Sequence, residues 1–223
     1  MCYDRKMPLP VRTEYSRAEL ISDAVVHVSG LAAVLIAVPV LIAVALWRGS
    51  AGEALFAVAL YGATLIAMIL FSALYNIVGR HRWHGVLRRL DHSAIYAKIA
   101  GTYTPFTLIP GGHGGYLLAG LWGAALAGMG LKLISPARLR WLALALYLGM
   151  GWAGAVAGGS FFATLSGPVI VLIAVGGGLY TVGVVFYLFE RLPFHYTLWH
   201  VFVLVASMVF YAAVTVHLVQ GTA

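Results

Sequence analysis

The chain has few charged residues, and this scarcity excludes an ordinary soluble protein. Only 9% of its 223 residues are Asp, Glu, Lys or Arg, whereas a soluble domain carries about 25%. A chain that is 62% hydrophobic cannot cover itself with a surface that water wets. We therefore expect lipid to be its main solvent.

Cysteine is almost missing as well, and no sign of a cleavable leader is present. The single cysteine, Cys2, excludes a disulfide bond within the chain. Residues 1–23 carry several charges and no short apolar core, so we expect no signal peptide and interpret the first apolar run as a spanning helix. The formal net charge of +7 comes from residues in short loops. We expect these residues to set membrane topology and not to bind nucleic acid.

Apolar runs long enough to cross a bilayer, which needs about 20 residues for each helix, occur seven times. Gly and Pro mark the breaks between them, where helices end. We predict an all-α protein with a cytoplasmic tail at residues 1–22 and a seven-helix membrane domain at residues 23–219. The predicted spans are approximately residues 25–47, 53–78, 91–109, 116–134, 141–158, 168–189 and 196–218.

Lys and Arg lie almost entirely on one side of these spans. Twelve of the 14 belong to the N-terminal tail or to the loops after the second, fourth and sixth spans. Arg48 lies on the other side, and Lys98 falls within the third span. Because positively charged loops stay in the cytoplasm, we predict a cytoplasmic N-terminus and, after seven crossings, an external C-terminus.

Polar residues that are costly in lipid gather at one depth, near the predicted cytoplasmic face. On the first helix they repeat every four residues and therefore share one face. We predict a polar cavity open to the cytoplasm, where carboxylate, hydroxyl and imidazole groups could bind a metal, activate water or relay protons. The residues are Glu19, Asp23 and His27 on the first helix, Ser72 and Asn76 on the second, Asp91 at the start of the third, and His195, Tyr196 and His200 at the start of the seventh.

Each of these residues also has an ordinary structural interpretation. Asp91 could stabilise a helix N-terminus, and Ser72 could bond back to its own helix. Asn76 and His200 could be interfacial anchors, and Glu19 could be solvated. From the sequence, these structural interpretations remain as alternatives to the predicted cavity.

The other candidates are weaker. Lys98 lies about two turns into the third span and could pair with Asp91 only loosely, at a spacing of seven residues. We expect the histidines that flank the basic loop to be exposed or interfacial. These are His81, His84 and His92, while His113 lies in a Gly-rich outer loop and His217 near the outer end of the last helix.

Two runs in the predicted third helix resemble the signature of a known family. Residues 90–96 (LDHSAIY) and 100–106 (AGTYTPF) are similar to the third-helix motif of the hemolysin III family. That family is the bacterial branch of the progestin and adipoQ receptor superfamily. Shorter segments agree in order along nearly the whole chain, among them residues 72–75 (SALY), 178–183 (GLYTVG) and 198–200 (LWH).

The resemblance implies seven membrane helices, a cytoplasmic N-terminus and a zinc site near the cytoplasmic side. In the superfamily three histidines hold the zinc ion, one on the second helix four residues after a serine and two at the start of the seventh. The aspartate of the third helix acts through water. By resemblance, Ser72 and Asp91 are the candidate catalytic residues, His200 is a candidate metal ligand, and zinc is the candidate cofactor.

The sequence departs from that pattern at the other two histidines. Asn76 and Tyr196 stand where the family has histidine, and His195 is one residue out of register. Zinc sites use His, Cys or carboxylate ligands. Asn76, Tyr196 and His195 are therefore doubtful partners for His200, and we expect zinc binding to be weak or absent.

Three functions remain open from the sequence. The first is a hemolysin III-like protein of a bacterial inner membrane, with a role in membrane homeostasis or lipid sensing and a nominal link to cytolysis. The second is a membrane-embedded, metal-dependent hydrolase of lipid amides, by relation to alkaline ceramidases. The third is an ion or proton pathway. The expected partners are membrane lipids, one of which would be the ligand or substrate.

Overall fold

The computed structural model describes residues 15–78, 82–109, 114–134 and 140–221, apart from the side chain of Ser160. Cys2, His81 and His113 lie outside the described residues. Helices and short connections make up the described part, which contains no strand. The helices are α1 (Arg17–Trp47), α2 (Gly52–Ala73), α3 (His84–Leu108), α4 (Gly115–Ile134), α5 (Arg140–Ala157), the short α6 (Gly159–Phe162), α7 (Gly167–Leu188) and α8 (His195–Gly221).

Five of the helices in this part of the chain are long and apolar enough to cross a membrane. They are α1, α2 with its continuation to Val78, α4, α7 and α8. The other two long helices are less apolar, because α3 contains Arg88, Asp91 and Lys98 and α5 contains Arg140 and three glycines. The prediction of an all-α, multi-pass protein is confirmed. The count of seven crossings and the orientation of the termini stay predictions.

The outer surface of the bundle is apolar, as a protein dissolved in lipid requires. Ile36, Leu126 and Val171 are each at least 60% exposed, whereas water-soluble proteins keep most such side chains inside. Helix α3 is the most enclosed and contacts α2, α4, α5 and α8. A helix surrounded by others can carry polar groups that lipid would not tolerate.

Helix α1 begins at Arg17, before the predicted membrane span and early enough to include Glu19, which the sequence placed on the first helix. The Ser16 hydroxyl accepts a hydrogen bond from the Glu19 amide, and the Glu19 carboxylate accepts one from the Ser16 amide. This reciprocal pair is a capping box, which starts a helix independently of hydropathy. Residues 17–22, predicted as tail, therefore belong to α1.

Helix α3 also begins early, at His84, so Asp91 lies two turns inside the helix. The interpretation of Asp91 as a group that stabilises a helix N-terminus is therefore wrong. The prediction failed because the basic residues before Asp91 interrupt the apolar run without interrupting the helix. Helices α4, α5, α7 and α8 begin within one residue of their predicted starts.

The end of α2 is irregular. After Ala73 the helix widens into a π-helical turn, Leu74–Val78. Such turns are rare and occur frequently at functional sites. This turn carries Asn76, whose Nδ2 donates to the Ser72 carbonyl over 2.9 Å.

Candidate metal centre and polar cavity

Asp23 contacts the imidazole rings of both His27 and His200. Its Oδ1 lies 2.6 Å from Nδ1 of His200, and its backbone carbonyl oxygen lies 2.8 Å from Nδ1 of His27. An ionised carboxylate and a carbonyl can only accept, so both Nδ1 atoms donate. In its neutral form, each imidazole then carries its lone pair on Nε2, where a metal or a proton can bind.

The Nε2 atom of His27 meets α2. Ser72 Oγ lies 3.1 Å from it and Asn76 Nδ2 lies 3.4 Å from it. Since an amide nitrogen can only donate, His27 Nε2 is the acceptor in the contact with Asn76. Ser72 thus faces His27. The alternative interpretation, in which the Ser72 hydroxyl bonds only to its own helix, is therefore wrong.

Asp23, His27 and His200 form a candidate metal-binding group. One donor atom from each lies within 4.8 Å of the others, and the two imidazole centroids are 4.3 Å apart. All three residues are buried. A carboxylate with two imidazoles is a donor set of catalytic zinc sites. Sequence reasoning placed Asp23 and His27 in the cavity but did not name them as metal ligands, although their four-residue spacing was the available signal.

The three doubtful metal-binding partners of His200 lie near it, but each makes a different contact. The Tyr196 ring packs edge-on against His200, with centroids 4.5 Å apart. His195 stacks on Tyr15, whose hydroxyl lies 3.3 Å from His195 Nε2. Asn76 contacts His27.

A cavity of about 290 Å³ lies beside the metal-binding group. His27, Ser72, Asp91, Tyr196 and His200 all line it, so α1, α2, α3 and α8 bring most of the predicted site residues together. Its size approaches that of pockets that hold small ligands. The arrangement provides imidazole, hydroxyl and carboxylate groups around a space that water or a lipid headgroup could enter.

Glu19 has a structural role next to this site. It is only 4% exposed, so the interpretation of a solvated side chain is wrong. Besides capping α1, its carboxylate accepts a hydrogen bond of 2.9 Å from the backbone N–H of Phe194. Glu19 therefore ties the start of α1 to the turn that precedes α8.

Arg88 on α3, Lys132 on α4 and Arg140 on α5 form a cationic wall of the cavity, and His92 lies beside them. Arg140 Nη1 pairs with Glu190 Oε1 at 2.8 Å. His92 lines the cavity and is half-buried, so of the two predicted alternatives the exposed one is wrong. Because His92 and Asp91 are adjacent in the sequence, there was no reason to expect both side chains to line the cavity. The packing of α3 against its neighbours places them there.

Lys98 lies deeper in the bundle, beside a second cavity of about 60 Å³. It is 2% exposed, and its Nζ is 4.9 Å from the centroids of the Tyr180 and Phe210 rings. The sequence allowed at most a loose pairing of Lys98 with Asp91, and in the structure the two side chains line different cavities. Lys98 is therefore separate from the cluster of carboxylate and imidazole groups that lines the first cavity.

Comparison with known proteins finds relatives that match most of the chain. The model of a family described as "Haemolysin-III related" matches residues 18–211. The chain belongs to the hemolysin III family. This hemolysin III protein is 35% identical to a hemolysin-3 homolog of Bacillus subtilis (strain 168) over 206 residues, 91% of this chain and 95% of the relative. It is 37% identical to hemolysin-3 of Bacillus cereus, over 91% of this chain and 92% of that relative.

A more distant relative of this hemolysin III protein is the human monocyte to macrophage differentiation factor. The two are 28% identical over 172 residues, which cover 73% of this chain and 70% of the human protein. The family resemblance found in the sequence is therefore confirmed. With its apolar helices, the protein is a multi-pass membrane protein.

Proposed function

We propose that this hemolysin III protein is a membrane-embedded hydrolase of lipid amides that serves membrane homeostasis. Its site would be the polar cavity, open to the cytoplasm at a bacterial inner membrane. The observation that supports this proposal most directly is the contact of Asp23 with both His27 and His200. Histidines that bind catalytic metals commonly donate their other ring N–H to a carboxylate or a backbone carbonyl, and Asp23 offers its carboxylate to His200 and its carbonyl to His27.

The donor set suits zinc. His27 and His200 would hold the ion through Nε2, with Asp23 as a third ligand or as the group that orients both rings. When bound, zinc acts as a Lewis acid and lowers the pKa of a coordinated water to about 7.

The protein's own residues have distinct tasks in this proposal. Asp91 is the candidate general base, since its carboxylate lines the same cavity as both imidazoles. Hydrolysis adds water to the amide carbonyl carbon, breaks the C–N bond and transfers a proton to the departing amine. Ser72 contacts His27 and holds that ring toward the cavity.

Metal analysis and a lipid assay together test the proposal. We expect about one zinc per chain in protein purified without chelators, and fatty acid release from ceramide-type lipids in detergent micelles. His200→Ala should lose the zinc, and Asp91→Ala should keep the zinc and lose the activity. Wild-type protein that binds no zinc and releases no fatty acid contradicts the proposal, and full activity in Asp91→Ala excludes Asp91 as the base.

A lipid-sensing role without catalysis is the second candidate, and one contact favours it. His27 Nε2 already meets Ser72 Oγ and Asn76 Nδ2, so its lone pair has partners without a metal. A sensor would bind lipid and change conformation with no zinc present. Lipid-dependent thermal stabilisation of zinc-free protein, with no product formed, would support this alternative over the hydrolase.

A further inference from the structure

We infer that Glu19 and Phe194 position His200 for metal binding, although neither belongs to the group that would hold the ion. This inference rests on the proposed function, and it makes the metal affinity of the site depend on a contact outside it. The Glu19 carboxylate accepts a hydrogen bond of 2.9 Å from the backbone N–H of Phe194. We call this contact the clamp. Glu19 is thus a positioning residue, which acts through His200 and not on a substrate.

The clamp is the first in a row of polar contacts that join the beginnings of α1 and α8. Next in the row, Ser22 Oγ lies 3.1 Å from Thr197 Oγ1, and then Asp23 Oδ1 lies 2.6 Å from His200 Nδ1. On α1 these contacts come three and four residues after the clamp, so they share its helix face. The contact that orients His200 is therefore the far end of a row that begins at the clamp.

Phe194 has an unusual backbone conformation at the residue where α8 is about to begin. Its φ is 59°, and among the described residues it alone combines a side chain beyond glycine's hydrogen with a positive φ. Residues with a Cβ rarely adopt this left-handed region, because the Cβ approaches a carbonyl oxygen. Such a conformation persists only where its surroundings hold it, and it is concentrated at functional sites. The hydrogen bond from the Phe194 N–H to Glu19 supplies such a hold.

The backbone at Phe194 sets the direction in which α8 leaves the turn, because the helix begins at the next residue. A metal site requires its ligands to be held within about 0.5 Å of the productive geometry. His200 lies in the second turn of α8, and its ring centroid is 4.3 Å from that of His27. A change in the direction of α8 would move the two rings relative to each other, and the clamp opposes that change.

Capping of α1 does not by itself account for the clamp. The capping box uses Glu19 Oε2, which accepts from the Ser16 N–H over 2.8 Å, whereas the clamp uses Oε1. A glutamate that only started α1 would not need to reach the turn before α8. The two carboxylate oxygens thus have two tasks, which substitutions can separate.

Zinc affinity of full-length protein in detergent micelles, measured by chelator competition, tests the inference. Glu19→Ala removes the clamp and should weaken zinc binding by about tenfold, as loss of a group that orients a metal ligand does. Glu19→Gln keeps an acceptor oxygen and should lose less, and it replaces the alanine variant if that does not fold. Ser16→Ala is the matched control, because it removes the capping hydroxyl, leaves the clamp intact and should bind zinc as wild type does.

A second substitution tests the backbone conformation itself. Glycine adopts the left-handed region without strain, so Phe194→Gly added to Glu19→Ala should restore part of the zinc affinity. Phe194→Ala added to Glu19→Ala also removes the ring but keeps the Cβ, and it should restore none. Wild-type affinity in Glu19→Ala, an equal loss in Ser16→Ala, or equal affinities of the two double variants overturns the inference.

Modification of His200 by diethyl pyrocarbonate in zinc-free protein tests the clamp without any metal. His200 is 8% exposed, so the reaction, located by mass spectrometry, should be slow in wild type and in Ser16→Ala and several-fold faster in Glu19→Ala. If wild-type protein binds no zinc, the proposed hydrolase fails, and this measurement alone decides on the clamp. Equal rates at His200 in Glu19→Ala and Ser16→Ala would then overturn the inference.

Discussion

Two places in this bundle where ionisable groups are buried are built in opposite ways. Around Asp23, buried polar side chains contact one another, as in the contacts of Asp23 with His200 and of His27 with Ser72. Around Lys98, the neighbours of the charge are the rings of Tyr180 and Phe210. Among the described residues, no carboxylate forms an ion pair with Lys98.

The difference separates a site built for chemistry from a tolerated charge. Hydrogen bonds within a polar network fix the orientation of its members, which binding and catalysis require. Cation–π contacts offset only part of the cost of placing a cation in an apolar environment. We therefore expect substitutions in the network to destabilise the protein and affect metal binding, and removal of the lysine charge to be tolerated.

The largest effect is expected for Asp23→Ala. It leaves the buried imidazole of His200 without its carboxylate, and loss of one partner from a buried pair costs about 3–5 kcal/mol. Zinc affinity should fall by about 10- to 100-fold, as for other groups that orient metal ligands. Denaturant unfolding in micelles and chelator competition measure the two effects. Asp23→Asn keeps an acceptor and should lose less, whereas an Ala variant as stable as wild type would contradict the network.

Gly176→Ala tests the packing of the rings around Lys98. An added Cβ would lie 2.7 Å from a ring carbon of Phe210, so the ring must shift. Such overpacking costs about 1–3 kcal/mol of unfolding free energy. Gly178→Ala on the same helix meets no atom within 4 Å and should be neutral. Equal stability of the two variants would show that the Phe210 ring is free to move.

Lys98→Met should stabilise the protein by about 1 kcal/mol. Methionine keeps most of the side-chain length and removes a charge that costs about 3 kcal/mol in the middle of a membrane helix, against a cation–π gain of about 0.5–2 kcal/mol. Unfolding in micelles provides the measurement. A marked loss of stability would reveal that the Lys98 charge has a partner, and the contrast with the Asp23 region would fail.

The smallest effect is expected for Ser72→Ala, which removes the hydroxyl that contacts His27 Nε2. One hydrogen bond of this kind contributes about 1 kcal/mol. Ser29→Ala is the matched control, because the Ser29 hydroxyl is exposed and bonds to its own helix at Val25. Unfolding measurements should separate the two, and identical behaviour would mean that Ser72 does not hold His27.

The sequence predicted helix positions well wherever hydropathy decides them. An apolar run of about 20 residues gives the same signal whichever way its helix is turned. The early start of α3 was missed because of the basic stretch before Asp91, and the capping box at Ser16 sets where α1 begins. In the candidate site, the four-residue spacings placed Asp23 beside His27 and Ser72 beside Asn76, because neighbours on one helix face follow from helix geometry alone.

The sequence could not predict which residues of different helices contact each other. His200 pairs with a carboxylate 177 residues away, and no local pattern names that partner. For the same reason, the sequence did not predict that His92 lines the cavity. A helix that is apolar all round can be rotated about its axis with little change in hydropathy, so the face it turns inward is set by packing against its neighbours.

The sequence by itself determined that lipid is the solvent, that the chain is helical and that its third-helix motif belongs to the hemolysin III family. These properties are sums over many residues or local runs, which hold in any arrangement of the helices. Only the tertiary structure decided that Asp23 unites His27 with His200, that Arg88 lines the cavity, and that Lys98 stands apart. Those outcomes depend on how each helix is rotated and packed, because a few ångströms determine which polar groups meet.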